Sequence, residues 1–112
     1  MADNIFQKII KKEIPANVLY EDELAIAFSD VNPVAPVHFL VIPKRDLANL
    51  AALTPGTDTL IGHCLYIVKK LMADQGISDY RVISNCGPGA GQTVPHLHFH
   101  ALAGRDFTWP PG

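Results

Sequence analysis

Three histidines alternate with apolar residues from His96 to His100, and the chain stays apolar as far as Ala103. Successive side chains of a β-strand point to opposite faces, so His96, His98 and His100 are predicted to share one face. The opposite face is apolar throughout and is predicted to pack in the core. That face carries Leu97, Phe99, Ala101 and Ala103. Packing gives no reason for three adjacent imidazoles, so we interpret the histidine face as a functional surface.

The periodicity of the remaining chain predicts two helices and four more strands. Asp3 is expected to cap a short helix over residues 4–11, which Ile14-Pro15-Ala16 ends. Apolar residues at helical spacing predict a long helix over residues 57–74, with Gly76 at its C-terminal stop. The strands are predicted at residues 18–20, 24–28, 37–42, 80–85 and 94–103. Because these elements follow one another in neighbouring order, we predict an α+β fold with an antiparallel sheet of about five strands and two helices.

Length and composition are typical of one globular domain. We take residues 1–112 as that domain and residues 104–112 as its carboxyl-terminal tail. A net charge of -2 gives no footprint for non-specific nucleic-acid binding, and no apolar run approaches the ~18 residues of a membrane span. Two cysteines are too few for a disulfide framework, and the first residues do not resemble a signal peptide. A cytoplasmic location is therefore expected.

Two further histidines have different surroundings in the sequence. His63 falls among polar residues of the long predicted helix, so we expect it to be exposed and without chemistry. His38 shares a strand face with Leu40 and Ile42, which favours a core histidine bonded to a backbone group. If that face adjoins the three aligned histidines, His38 belongs to their site instead.

The segment directly before the histidines, residues 86–93, contains three glycines and a proline. Glycines let backbone N–H groups approach a ligand closely and can build an anion-binding nest. Gln92 and Thr93 add side-chain donors. A plain hairpin connection has a similar composition, so the position of the segment is what gives it meaning. Phosphate donors next to a potential nucleophile would form one site.

Two chemistries compete for the imidazoles. Histidine is the commonest metal ligand, but the Cα atoms of His96 and His100 would be about 13 Å apart on a straight strand, too far for one zinc to gather all three side chains. A two-histidine metal site completed by His38 or Asp30 stays open. The other chemistry is nucleophilic catalysis, in which a neutral imidazole attacks phosphorus and forms a covalent intermediate. The geometry favours the nucleophile, and no metal or other cofactor is then required.

The run His96-Leu97-His98-Phe99-His100-Ala101-Leu102 matches the His-x-His-x-His-x-x signature, with apolar residues at x, of the histidine triad (HIT) superfamily. Further segments resemble the nucleotide-binding branch of that superfamily in colinear order. They are Ile14-Pro15-Ala16, Phe28-Ser29-Asp30-Val31, His38-Phe39-Leu40-Val41-Ile42-Pro43-Lys44, Asn85, Gly91-Gln92-Thr93-Val94 and Trp109-Pro110-Pro111-Gly112. The similarity covers nearly the whole chain and implies a single HIT domain with the HIT-like fold.

Membership of this branch implies a purine nucleoside phosphoramidate hydrolase, which converts an adenosine or guanosine 5'-monophosphoramidate to the nucleoside monophosphate and an amine. The resemblance assigns His98 as the nucleophile and Thr93 as a proton relay to the leaving amine. It adds His96, His100 and His38 as the rest of an imidazole cluster. The expected substrate contacts are Asp30, Val31, Asn85, Gly91, Gln92, Thr93, His98 and His100, with Phe6, Ile9 and Phe28 around the base and Trp109 near the leaving group.

One departure from the family pattern and two alternatives bear on this interpretation. The family commonly has serine where this chain has Thr93, whose β-branched side chain is stiffer at χ1. That difference affects efficiency and not the type of reaction. The first alternative is the dinucleoside polyphosphate hydrolase branch of the superfamily, although the last four residues, Trp109-Pro110-Pro111-Gly112, do not resemble that branch. The third interpretation is a non-catalytic nucleotide-binding or scaffold module that keeps the pocket.

A homodimer is also expected, with a purine nucleotide as the substrate and with neither nucleic acid nor membrane as a partner. The long helix is apolar over a stripe broader than contact with one sheet requires, and a twofold partner would cover the surplus. The tail at residues 107–112 contains two aromatic residues and two prolines, so we expect it to dock. The resemblance places Trp109 near the partner's site. The alternative is that Trp109 covers the core of its own subunit.

Overall fold

A five-stranded antiparallel sheet forms the centre of the protein in the computed structural model, which describes residues 3–112. Its strands are β1 (Val18–Glu21), β2 (Ala25–Ser29), β3 (Val37–Pro43), β4 (Tyr80–Ile83) and β5 (Phe99–Ala103). They lie in the order β1-β2-β3-β5-β4. The pairing of β3 with β5 sets His38 opposite Leu102 and Leu40 opposite His100, so the two histidines are diagonal neighbours on one face.

Two helices cover opposite faces of this sheet, which confirms the predicted α+β fold. The long helix α2 (Asp58–Asp74) packs against one face. Its core includes Cys64, Ile67, Val68, Leu71 and Met72 from the helix and Phe39, Val41, Phe99 and Ala101 from the sheet. The helix α1 (Ile5–Ile10) packs on the other face, in a second core of Phe6, Ile9, Ile26, Phe28, Leu40 and Ile42. Since α1 has only 6 residues, a cleft stays open beside it.

Neither helix of the part described here, residues 3–112, has the length and apolar character needed to cross a membrane.

The last strand is shorter than the sequence predicted. It begins at Phe99 and not at residue 94, so the three histidines do not all lie on one strand. Pro95 has no N–H to donate to a sheet ladder, and the amide of His96 bonds to the carbonyl of Val94 instead. The predicted apolar face is nevertheless confirmed. Leu97, Phe99, Ala101 and Ala103 all belong to the core against α2.

Other element boundaries also differ slightly from the prediction. Asn4, and not Asp3, caps α1, because the Asn4 side chain accepts the Gln7 amide while the Gln7 side chain accepts the Asn4 amide. β4 ends at Ile83 and not at residue 85, and a 3₁₀ turn at Pro88–Ala90 lies inside the glycine-rich loop.

His63 is not the isolated surface residue that the sequence predicted. Its Nε2 lies 2.6 Å from Oδ2 of Asp22, which also accepts the Tyr20 hydroxyl at 2.9 Å. The amides of Leu24 and Ala25 donate to the other carboxylate oxygen. Burial raises the pKa of Asp22, but these hydrogen bonds outweigh it and lower the pKa to about 2. The contact joins α2 to the turn between β1 and β2, and the sequence carries no local signal for it.

Asp22→Asn should lower the free energy of unfolding at pH 7 by about 2 kcal/mol. This is the free energy that corresponds to the shift of the Asp22 pKa on folding, from 3.8 to about 2. Because the folded pKa is the lower one, this stabilisation is present above pH 3.8 and is lost as the pH falls towards 2. Urea unfolding of both proteins across this range should show the difference shrinking at the acid end. Asp74→Asn, which removes an exposed partner of Lys70, is the control. Equal effects of the two substitutions would contradict the prediction.

Candidate functional site

A cleft of about 740 Å³ lies between α1 and the sheet. Its apolar lining includes Ile5, Phe6 and Ile9 from α1 with Phe28 and Leu40 from the sheet. Its polar lining includes Asp30, Asn85, Gly91, Thr93, His98 and His100. A cavity with an apolar wall and a few converging polar groups suits a ligand that has both an apolar and a charged part.

His98 is held in one tautomer. Its Nδ1 lies 2.6 Å from the backbone oxygen of His96, and since a carbonyl oxygen only accepts, Nδ1 carries the hydrogen. Nε2 is then the nitrogen with a free lone pair, on a side chain that lines the cleft and contacts the Phe6 ring edge-on. Burial lowers the pKa of His98 below 6.5, although its bond to the His96 carbonyl acts in the other direction. The neutral imidazole is the form that attacks phosphorus.

His100 and His38 form a second ordered unit with Asp30. The Val34 amide donates to Nδ1 of His38 at 3.1 Å, so the hydrogen of neutral His38 is on Nε2. That nitrogen lies 2.9 Å from Nδ1 of His100 and 3.3 Å from Oδ2 of Asp30. His100 therefore accepts at Nδ1 and carries its own hydrogen on Nε2. The site thus contains an N–H donor on His100 beside a lone pair on His98, with ring centroids 5.1 Å apart.

Burial keeps these imidazoles uncharged at neutral pH. It is the main reason that the pKa of His100 falls to about 4, with His98 and His38 adding to the effect and Asp30 opposing it. Burial likewise lowers the pKa of His38 against the influence of the Asp30 carboxylate. The cluster therefore offers N–H groups, rather than positive charge, to an anion. Of the two interpretations of His38, the structure supports membership of the site, because its strand face adjoins that of His100.

His96 is separated from the cleft. Its side chain is fully buried, and its Nε2 donates to the backbone oxygen of Pro43 at 2.8 Å. Its Nδ1 has no hydrogen-bond partner within residues 3–112. The backbone oxygen of His96 orients the His98 ring, so His96 contributes to the site through its backbone and not through its imidazole.

The glycine-rich loop brings its last residues to the cleft. Gly91 has a φ of +92°, which favours glycine, and a Cβ there would lie 3.8 Å from Nδ2 of Asn85. The amides of Gly91 and Gln92 donate to carbonyls at the start of the loop, so they are not free for a ligand. Among the residues that the structure describes, the Thr93 amide and hydroxyl and the Asn85 side chain have no hydrogen-bond partner. These groups are the available donors near His98.

Two predicted contacts lie outside the lining of the cleft. Both amide hydrogens of Gln92 bond to backbone oxygens, so its side chain offers no donor to a ligand. Trp109 is 83% exposed and lies away from the cleft of its own chain. Val31 lines the cleft but is 88% exposed, which places it at the rim.

Sequence reasoning missed the wall residue Ile5 of the cleft. It also missed the backbone groups of Val34 and Pro43, which lie outside the cleft and fix two of the histidines. A signal for Ile5 existed in its spacing of four from Ile9, which places both on one helical face. The backbone groups had no signal, because every residue carries a carbonyl and almost every residue an amide. The other residues missed are Ile14, Pro15, Ala16, Asn17, Ser29, Asn32, Leu40 and Val94.

A family model for the HIT domain matches residues 11–107. The chain belongs to the HIT family. The 14 kDa zinc-binding protein of Zea mays is 50% identical over 111 residues, which cover 96% of this chain and 87% of the maize protein. A HIT family hydrolase from Legionella pneumophila matches with a TM-score of 0.94 and 43% identity, covering 96% of this chain and 98% of that one. The histidine triad nucleotide-binding protein from Candida albicans matches with a TM-score of 0.82 and 35% identity, covering 96% and 83%.

In this HIT protein one group of side chains has the composition of a metal site. Asp30, His38 and His100 bring their ligand atoms within 4.8 Å of one another. Two zinc ligands in tetrahedral geometry, each about 2.0–2.1 Å from the metal, are about 3.3 Å apart. Nε2 of His38 and Nδ1 of His100 are 2.9 Å apart, which is a hydrogen-bond distance. Oδ2 of Asp30 lies 3.3 and 3.9 Å from these two nitrogens, so the group is a hydrogen-bonded unit in this structure whose spacing is also near that of zinc ligands.

Proposed function

We propose that this HIT protein hydrolyses purine nucleoside 5'-phosphoramidates to the nucleoside monophosphate and an amine through a nucleotidyl intermediate on His98. The observation that carries the proposal is the bond from His98 Nδ1 to the His96 carbonyl, which leaves a neutral Nε2 on a residue of the cleft. The similarity to a protein named a hydrolase supports the class of reaction. The similarity to a protein named nucleotide-binding supports the class of ligand.

The reaction consists of two displacements. Nε2 of His98 attacks phosphorus, a bond from histidine to phosphorus forms, and the bond from phosphorus to the amine breaks. The leaving amine must gain a proton, which the Thr93 hydroxyl donates and then regains from solvent. Water next attacks phosphorus, the bond to His98 breaks, and the nucleoside monophosphate leaves as a proton passes to solvent.

Hydrogen bonds stabilise the charge that develops on the phosphate oxygens. The Nε2–H of His100, the amide of Thr93 and the side chain of Asn85 are the donors near His98. The apolar wall of α1 accommodates the base, and the carboxylate of Asp30 accepts a ribose hydroxyl. All of these groups are side chains or backbone groups of the protein, so the proposed scheme requires no metal or cofactor.

Adenosine 5'-phosphoramidate should therefore be converted to AMP and ammonia at the same rate before and after exhaustive chelation. Metal analysis should find far less than one zinc per chain. A rate that is lost on chelation and restored by zinc would contradict the imidazole mechanism. Cleavage of a dinucleoside polyphosphate without cleavage of the phosphoramidate would favour the competing hydrolase branch. AMP binding without turnover of either substrate would favour the non-catalytic module.

We also propose that the working unit is a homodimer. The strand β4 has a neighbour on one side only, so its other edge is free to pair. Large apolar side chains are exposed on β4 and on α2. They are Leu65, Tyr80 and Val82, which are 43%, 36% and 37% exposed. A twofold partner would cover this patch by pairing it with its own copy.

The tail is fastened to the same edge strand. Nη2 of Arg81 donates to the backbone oxygen of Thr108 at 3.0 Å. The guanidinium groups of Arg81 and Arg105 lie 5.2 and 4.4 Å from the centroid of the Phe107 ring. Trp109 projects beyond these contacts and is exposed, which supports a role in the cleft of the partner subunit rather than in the core of its own.

Deleting residues 107–112 should change the relative rates for different amines more than the affinity for AMP, because the tail is proposed to reach the leaving group and not the nucleoside. Trp109→Ala should change amine selectivity about fivefold, the value of one aromatic contact of about 1 kcal/mol. Val18→Ala, which alters an exposed apolar side chain on the opposite edge strand, is the control. Equal losses for every amine, or a fully active monomer in analytical ultracentrifugation, would count against the proposal.

A further inference from the structure

The side-chain amide of Gln92 makes every hydrogen bond that it can make. Its Nε2 donates to the backbone oxygens of Ala48 and Val94 at 2.8 and 2.9 Å. Its Oε1 accepts from the Gly87 amide at 2.9 Å and from Nδ2 of Asn49 at 3.3 Å. A primary amide has two hydrogens and two acceptor sites, so all four are used inside the protein. The Gln92 side chain therefore has no hydrogen-bonding group left for a ligand and stabilises the loop instead.

One of these hydrogen bonds joins the residues on either side of Thr93. The bond from Gln92 Nε2 to the Val94 carbonyl spans Thr93 and closes a ring that limits the backbone torsions of that residue. A threonine is also restricted at χ1, so fixing its backbone largely fixes the direction of its hydroxyl. The amide of Gln92 thus aims the Thr93 side chain, which lines the cleft.

The Gln92 side chain also bonds to residues 47–49, a segment that in addition contacts the chain leading to the histidines. The backbone oxygen of Ala48 accepts a hydrogen bond from Nε2 of Gln92, and Nδ2 of Asn49 donates one to Oε1 of Gln92. The carbonyl of Leu47, in the same segment, accepts the amide of Leu97 at 2.7 Å. One short anchor therefore sets the position of the loop that ends in Thr93 and of the chain that leads to His98.

We propose that Gln92 is a positioning residue that holds the Thr93 hydroxyl in place relative to His98 and thereby controls protonation of the leaving amine. This inference rests on the proposed phosphoramidase function. Gln92 does not touch the substrate and acts through Thr93. Its loss should slow departure of the amine more than it weakens nucleotide binding, because Thr93 is the one phosphate donor that Gln92 positions and Gln92 bonds neither to the apolar wall nor to the imidazole side chains.

Gln92→Ala should lower kcat about tenfold to a hundredfold, as expected when a catalytic group is displaced by about 1 Å. The affinity for AMP should fall by a smaller factor than kcat, because His100 and Asn85 remain as phosphate donors and only the Thr93 amide moves. The loss should be small for an arylamine and large for a basic alkylamine, since the basic amine depends more on a proton donor to leave. Gln92→Glu keeps the shape of the side chain but presents an oxygen to the carbonyls of Ala48 and Val94. It should therefore show the same dependence on the amine.

The experiment measures kcat and KM for adenosine phosphoramidates of increasing amine basicity in the wild type, in Gln92→Ala, in Gln92→Glu, in Thr93→Ala and in the protein that combines Gln92→Ala with Thr93→Ala. If Gln92 acts through Thr93, the combined variant is no slower than Thr93→Ala alone. Gln75→Ala is the control, because it removes a side-chain amide that follows α2 and donates to the backbone oxygen of Leu71, and it should leave the rates unchanged. If Gln92→Ala does not fold, Gln92→Glu takes its place in the comparison.

Additive losses in the combined variant, or an equal loss for every amine, would overturn the role of Gln92 and leave the phosphoramidase function standing. A wild-type protein that hydrolyses none of the phosphoramidates would overturn both. A purely structural role would lower the unfolding temperature without changing the dependence of kcat on amine basicity, and that result would also refute the proposal.

Discussion

Replacing His98 with alanine should reduce the hydrolysis of adenosine 5'-phosphoramidate at least about a thousandfold, equal to about 4 kcal/mol of transition-state free energy. His98 supplies the atom that attacks phosphorus, and neither neighbouring histidine can replace it. His96 lies outside the cleft, and His100 offers an N–H rather than a lone pair. AMP binding should remain measurable by calorimetry, because the apolar wall and the other donors are retained.

His63→Ala is the matched control for this substitution. His63 lies outside the cleft and bonds to Asp22, so its loss should lower stability but leave turnover intact. Thermal unfolding of both variants separates a folding defect from a chemical one. A His98→Ala protein that keeps more than about a tenth of the wild-type rate would refute the assignment of the nucleophile.

His100→Ala should lower kcat about a hundredfold with little change in nucleotide affinity, as expected when one donor to developing charge is lost. The Nδ1 of His100 is occupied by His38, so its Nε2–H is the group that the cleft loses. His100→Gln should recover a large part of the rate, because the glutamine amide places an N–H near the position of Nε2. Steady-state kinetics of both variants at pH 7 make this comparison. Equal rates for the alanine and glutamine variants would show that the N–H is not what His100 contributes.

The core faces of this protein could be predicted from the sequence because burial selects apolar side chains directly. The alternation from Leu97 to Ala103 identified the face that packs against α2. The helical spacing of apolar residues placed α2 within one residue of its observed start. The same alternation identified the histidines as a functional face and favoured a nucleophile over a metal site. The family resemblance then supplied the individual roles of these histidines and of the loop residues.

The rest of the site could not be predicted because it depends on hydrogen bonds to backbone groups distant in sequence. The carbonyl of Pro43 draws the His96 side chain away from the cleft, and the amide of Val34 fixes the tautomer of His38. Gln92 has the same sequence signal whether its amide binds a phosphate or its own loop. Only the positions of Ala48 and its neighbours decide between the two.

Rapid quenching of the wild-type protein with adenosine 5'-phosphoramidate, followed by mass spectrometry of its peptides, tests the central claim most directly. We predict a single adenylyl group on His98 that forms at least as fast as turnover and disappears when the substrate is exhausted. A companion substrate with a chiral phosphorus should react with net retention of configuration, because two in-line displacements each invert the centre. An adduct on another residue, or turnover with inversion and no adduct, would contradict the nucleotidyl-histidine mechanism.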